Sequence, residues 1–170
     1  MTIKNDRTDL KKKPRKPKVQ IGWEEWCALP ELGLPAIKVK VDTGAKTSAL
    51  HAYDIKPFTK DDGEYVRFKI HPLQGDNKRY VECEAKLVDR RSVTSSNGER
   101  EKRYVIETPM VFGDKSFKAQ VTLTSRHKMI FRMLLGRQAM VKAKFAVDPA
   151  KSFMLGKVAN VKALYEDILL

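Results

Sequence analysis

The stretch VDTGAKTSAL, residues 41–50, places Asp42 beside Thr43 and Gly44 at the end of an alternating apolar run. An aspartate can hydrolyse without a metal when a second carboxylate lies close enough to share one proton with it. At that range both groups cannot ionise, so one acts as base toward water and the other as acid toward a carbonyl. Titration then belongs to the pair. Asp-Thr-Gly occurs once in the 170 residues, so one chain holds half of such a site. A two-fold homodimer would supply the other half, because the same residue meets itself across the axis. Thr43 offers a hydroxyl to brace the turn, and Gly44 lets backbone approach the carboxylate closely. Ala45 is small enough for a substrate strand to pass. A solvated turn aspartate is the plainer reading of three residues alone.

The elements around Asp42 must deliver it. Ile37, Val39 and Val41 alternate with Lys38 and Lys40, the period of a half-buried strand. Val19, Ile21 and Trp23, then Trp26 and Ala28, suggest a preceding strand with a bulge. Pro30–Pro35 carries turn residues, so the two strands form a hairpin that ends at Asp42. Residues 65–70, 80–87, 104–112 and 117–124 read as further strands. Asp89 to Lys102 is polar, contains Asn97-Gly98 and reads as a loop or hairpin tip. Met129 to Leu135 is apolar and ends at Gly136-Arg137, with a helical turn or more over 138–142 and a terminal strand over 145–147. Residues 160–170 put Val161, Leu164, Tyr165 and Ile168 at helical spacing behind Asn160. Six or seven short strands with little helix argue all-β. Spacing leaves a sandwich and a closed barrel both open. The expected organisation is a disordered basic tail over 1–18, a domain over 19–155 and a C-terminal, helical segment over 156–170.

Two segments then combine. Val41-Asp42-Thr43-Gly44-Ala45, with Leu134-Leu135-Gly136-Arg137 in the second half, resembles the retropepsins, the retroviral-type dimeric aspartic proteases. IGWEEWCALPELGLPAIKVKVDTGAKTSALHA, RFKIHPL, FRMLLGRQAM and FAVDPAKSF are closer to a bacterial branch, the RimB-like family, also labelled "ATP-dependent zinc protease". The resemblance covers roughly residues 21–155. It implies a closed barrel per protomer, an active site on a two-fold axis, Asp42 as catalytic residue with Thr43 and Gly44 as its turn, and Gly136 as structural support. Arg137 would brace the dimer or the site. The family is also associated with RimK-type ATP-grasp ligases, which add glutamates to protein C-termini. That implies removal of such tails, or cleavage of related acidic peptides.

Two features depart from the retroviral pattern. Lys46 stands where those enzymes carry the aspartate that pairs with the Gly-Arg arginine. Lys46 and Arg137, together with Ala45, would then receive substrate carboxylates, Arg137 bidentately. The 94 positions from Asp42 to Gly136 also require an insertion. A substrate-covering flap could be the Pro72 to Arg79 tip or the loop from Asp89. The same barrel with Lys46 could alternatively bind acidic peptides without cutting them.

Other chemistries find little support. His51, His71 and His127 are scattered, without HExxH or paired-cysteine spacing, so the expectation is no metal and no cofactor. His51 could line the cleft, but for each histidine a hydrogen-bonded structural role is the stronger reading. No phosphate loop ending in Gly-Lys-Ser/Thr occurs. Trp23 and Trp26 read as core or dimer packing. Cys27 and Cys83 are too few for a disulfide framework and read as half-buried thiols in a reducing compartment. The net charge is +13, of which residues 1–18 carry +6 through eight basic residues against Asp6 and Asp9. That tail could touch RNA, ribosomes or acidic lipids, and the basic body suits an acidic partner. No apolar stretch is long enough to span a membrane and none follows the basic start as in a secretory signal, so the expected location is cytoplasmic.

Overall fold

The computed structural model describes residues 15–125 and 128–170. Strands β2 (Glu24–Leu29) and β3 (Leu34–Val41) pair antiparallel around a 3-10 turn at Pro30–Leu32. Gly33 closes that turn at φ +69°, a left-handed conformation that costs glycine little. Strands β4 (Ser48–His51) and β5 (Tyr53–Lys60) follow, then β6 (Gly63–Ile70), β7 (Val81–Thr94), β8 (Arg100–Phe112), β9 (Lys115–Thr124) and β10 (Met133–Leu135). One helix, α1, spans Arg137–Ala143. Six strands in the order β2-β3-β10-β4-β9-β8 close into a barrel through the pairing of Ala28 with Val111. Closure leaves those strands without open edges. The expected all-β class is thereby resolved to a closed barrel, with the short helix after Gly136-Arg137.

The barrel interior is apolar because alternate residues point inward. Ile37 and Val39 of β3, Ile106, Met110 and Phe112 of β8, Val121 and Leu123 of β9, and Met133 and Leu135 of β10 form one buried cluster. Strands β7, β6 and β5 continue the sheet beyond β8. A small parallel pair, β1 (Val19–Ile21) with β11 (Phe145–Val147), lies beside the barrel.

The chain's second half fastens the first. Glu25 is fully buried and accepts backbone N–H bonds from Gly22 (3.1 Å), Met154 (2.9 Å) and Leu155 (2.8 Å). A buried carboxylate without such donors would be costly. Trp23 N–H donates to Lys151 C=O, and Gly22 has no room for a side chain because a Cβ would lie 2.2 Å from that oxygen. Tyr165 is buried with its hydroxyl donating to Ala36 C=O at 2.6 Å. Backbone bonds in both directions tie Leu170 to Tyr80.

Several expectations need correction. Residues 160–170 carry a short 3-10 helix, Ala163–Tyr165, with turns around it whose N–H groups bond three or four residues back, and Leu170 leaves that pattern to pair with Tyr80. The strand expected from Val19 to Ala28 breaks at Gly22 into β1 and β2, whose inward residues are Glu25, Cys27 and Leu29. The polar stretch from Asp89 to Lys102 is mostly strand, with only residues 95–99 left as the tip of a long hairpin. Strand β5 was not expected at all. It tolerates Pro57 because it is a sheet edge, where the missing N–H has no ladder to break. Cys27 and Cys83 are buried free thiols. Trp26 stacks on Phe153, and Trp23 stays 41% exposed. Of the basic tail over 1–18, residues 1–14 lie outside the described residues, as does His127.

Candidate active site

Asp42 follows β3, and its position is set by a strand that arrives 90 residues later. β10 inserts between β3 and β4, parallel to the first and antiparallel to the second, with Leu135 beside Val41 and Leu134 beside Ala49. The segments 42–48 and 135–138 are thus laced together. Asp42 N–H donates to Leu135 C=O (3.0 Å), Arg137 N–H to Ala45 C=O (2.8 Å) and Gln138 N–H to Lys46 C=O (3.1 Å). Gly136 N–H donates to the Ser48 hydroxyl at 3.0 Å. A Cβ on Gly136 would lie 2.6 Å from Thr47 carbonyl carbon, so glycine is what lets the segments touch. The motif Leu-Leu-Gly-Arg therefore reads physically as two residues of strand, one contact point and one brace.

The carboxylate is oriented locally. Gly44 N–H donates to Asp42 Oδ1 at 2.9 Å, and Ala45 N–H to Asp42 C=O at 3.2 Å. Asp42 is half-buried, while Thr43 and Gly44 are exposed at the surface. Arg137 Nη1 donates to Thr43 C=O at 2.9 Å, across 94 positions of sequence. Arg137 thus braces the turn from the α1 side. Among the described residues, no ion pair within 4.0 Å joins Asp42 to Lys46 or Arg137, and Lys46 is exposed. The turn has the elements of a hydrolytic half-site: an oriented carboxylate, an exposed approach and a rigid base.

Asp42, Thr43, Gly44, Ala45, Lys46, Gly136 and Arg137 all meet at this corner. Sequence reasoning missed Ser48, whose hydroxyl accepts the Gly136 N–H, and Thr47, whose hydroxyl reaches Gln138 Oε1 at 3.5 Å. Nothing local links Ser48 to a glycine 88 positions away; only the β4–β10 register does. His51 is buried rather than lining an open cleft. It stacks on His71 at 5.4 Å and on Tyr53, and His71 Nδ1 lies 3.0 Å from Arg79 C=O. Among the described residues no group of three His, Cys, Asp or Glu side chains is arranged to hold a metal. No helix among them is long and apolar enough to cross a membrane.

The two flap candidates differ in anchoring. In the Pro72–Arg79 segment, Asp76 accepts N–H bonds from Lys78 and Arg79 and pairs with the Arg79 guanidinium, while Arg132 donates to Asn77. These contacts hold the Asp76 carboxyl well below the usual carboxylate range. The 95–99 tip is instead exposed at the end of a two-stranded arm.

A closed β-barrel whose Asp-Thr-Gly turn is laced to a Gly-Arg strand end is a retropepsin-like fold. Residues 20–157 match the RimB-like family, described as the retropepsin-like aspartic endopeptidase RimB, and the chain belongs to that family. Curated relatives carry the name probable alpha-L-glutamate ligase. The protein from Shewanella pealeana is 50% identical over 142 residues, 84% of this chain and 31% of the relative. That from Parasynechococcus marenigrum is 45% identical over 150 residues, 87% of this chain and 32% of the relative. The chain thus spans about a third of the length of these relatives. Among solved structures, a Legionella pneumophila protein of unknown function superposes with a TM-score of 0.68 at 30% identity, covering 82% of this chain and 99% of the other.

Proposed function

We propose that this chain is one protomer of a two-fold, metal-free aspartic peptidase that trims glutamate-rich peptide tails. The observation that carries the proposal is the lacing of the Asp42 turn to Gly136-Arg137, which fixes the carboxylate by Gly44 N–H while leaving Thr43 and Gly44 exposed. In the dimer, one Asp42 carboxylate takes a proton as the water oxygen bonds to the scissile carbonyl carbon. The partner's Asp42, protonated, gives its proton to the carbonyl oxygen. Collapse of the gem-diol breaks the C–N bond as one of its hydroxyls returns a proton to the partner's Asp42 and the first Asp42 passes the proton it took to the leaving nitrogen.

A groove of about 650 Å³ flanks the turn, lined by Thr43, Arg137, Met140, Val141, Phe145 and Val147 together with Arg15, Lys16, Lys18 and Lys144. Val141 is 77% exposed, apolar surface suited to burial against a second protomer. The 95–99 tip is the better flap, because its hydrogen bonds run within the tip itself, whereas Arg132 ties residues 72–79 to a distant part of the chain. An acidic substrate accords with the basic body and with the glutamate-ligase names of the relatives. A RimK-type ligase would be the enzyme whose product this one shortens, and its basic tail could hold RNA or ribosomal phosphates nearby.

Asp42→Asn tests the proposal. Incubated with a hexaglutamate-tailed peptide, wild type should release fragments with or without chelator, and the variant none, while both sediment as dimers. Cleavage by the variant, or full activity in a strict monomer, would overturn it. Lys46 favours a second reading, a module that holds acidic peptides uncut; tight binding without products would establish that instead.

A further inference from the structure

Strand registers place Asp42 on a face that also carries a pair of arginines. Laterally paired residues share a sheet face, as do residues two apart on one strand. Lys40, two before Asp42, pairs with Leu134; Leu134 pairs with Ala49, Ala49 with Thr122, and Thr122 with Val105. Arg103 lies two before Val105 and sits directly opposite Arg91 of β7. This is the side of the barrel wall away from the core, since Ala49 and Val105 are buried yet stand outside the interior cluster.

Two like charges directly opposite on neighbouring strands are unfavourable. Here they are also partly withdrawn from water, with side-chain exposures of 35% for Arg91 and 13% for Arg103. Each is held on one edge. Arg91 Nε donates to Asp89 at 2.6 Å and its Nη2 to Gln120 Oε1 at 2.7 Å. Arg103 Nε donates to Glu101 at 2.9 Å, and Glu101 is fixed in turn by the Thr124 hydroxyl. These bonds orient both guanidinium groups and leave the Arg103 terminal edge and Arg91 Nη1 uncommitted among the described residues. An oriented guanidinium edge matches a carboxylate bidentately.

We infer that Arg91 and Arg103 form the receptor for a substrate carboxylate remote from the scissile bond, making them specificity-determining residues of the proposed peptidase. The inference rests on the peptidase proposal for its substrate. From β3 to β8 along the wall is four strand spacings, on the order of 19 Å, and the registers set Arg103 four residues, on the order of 13 Å, back along the strand direction from Asp42, so about 23 Å separates them. An extended peptide covers that with about seven residues at about 3.3 Å each. A tail of several glutamates would therefore be held at its far end while Asp42 meets the bond being cut.

The test measures binding of fluorescein-labelled hexaglutamate and hexaglutamine to the full chain carrying Asp42→Asn, so that nothing is consumed. Added to it are Arg91→Gln, Arg103→Gln, Arg103→Lys or, as control, Arg90→Gln. Arg90 alternates with Arg91 and pairs with Glu64, so it removes the same charge from the opposite face. Hexaglutamate affinity should fall at least about tenfold with Arg91→Gln and Arg103→Gln, the loss of one charge-assisted fork. Arg103→Lys should recover only part, Arg90→Gln should change nothing, and hexaglutamine should be indifferent throughout. Thermal melting reports folding; if Arg103→Gln unfolds, the more exposed Arg91 decides. An equal loss with Arg90→Gln, or none with Arg91→Gln, would overturn the receptor. Should wild type cleave neither peptide while the binding pattern holds, the peptidase proposal falls and the receptor stands.

Discussion

Replacing Glu25 should unfasten the C-terminal strap, and the size of the effect follows from its bonds. Glu25 Oε2 accepts from Gly22 and Met154, and Oε1 from Leu155, with the side chain fully buried. Glu25→Ala leaves three backbone N–H groups without their acceptor. An unsatisfied buried donor costs about 1–3 kcal/mol. Water entering the vacated space recovers part, so a loss of about 4 kcal/mol is expected, against a total of about 5–15 kcal/mol for a domain. For a chain of this length that lowers Tm by roughly 8–16 °C. Glu25→Gln should cost less, about 2 kcal/mol. Its single amide oxygen can keep the two Oε2 bonds while the NH2 meets Leu155 N–H, donor against donor. Urea unfolding gives the totals, and amide hydrogen exchange gives the location. Leu155 should lose protection in both variants, and Met154 chiefly in the alanine variant. A loss below about 1 kcal/mol for Glu25→Ala, or unchanged exchange at both amides, would refute the latch.

Gly136→Ala should destabilise by more than about 2 kcal/mol and abolish cleavage, since its Cβ meets Thr47 backbone at 2.6 Å; equilibrium unfolding and peptide digestion check both. Tyr165→Phe should cost about 1 kcal/mol in urea unfolding, the value of its hydroxyl bond to Ala36. Burial pushes the Cys83 thiol from 9.0 up to about 12, and Cys27 up as well. The folded state thus holds these protons when the unfolded chain releases them. Their contribution is complete below pH 9.0 and is lost as pH rises toward about 12, so urea midpoints should fall across that window and both thiols should resist alkylation at pH 8 until unfolding. Asp76 runs oppositely: backbone bonds from Arg79 and Lys78 lower its carboxyl from 3.8, so its contribution is present above pH 3.8 and lost below it. Asp76→Asn should flatten the acid limb of stability.

Much of the site was legible because its chemistry needs fixed residue types in short runs. Asp42 with Thr43 and Gly44, and Gly136 with Arg137, are each contiguous, and the alternation of Ile37, Val39 and Val41 marks the strand that delivers the aspartate. Strands β7 and β8 were harder to see past Asp89, because their distal halves are polar on both faces. Arg90 with Glu64 and Arg91 with Asp89 cover those faces by ion pairing, which leaves no apolar period to detect. The C-terminal segment was legible in part. Val161, Leu164, Tyr165 and Ile168 have helical spacing and the chain turns as a 3-10 helix over Ala163–Tyr165, while Tyr165 anchors it to Ala36 and Leu170 pairs with Tyr80.

By itself the sequence determined the all-β character and the paired motifs, since strand period and contiguous motif chemistry are local properties. Only the tertiary structure decided that β10 enters between β3 and β4, that Ser48 and Gly136 bond, and that Arg91 and Arg103 share a face with Asp42. Those relations are registers between strands far apart in the chain. A register is chosen by barrel closure and core packing acting together, so no single segment contains it.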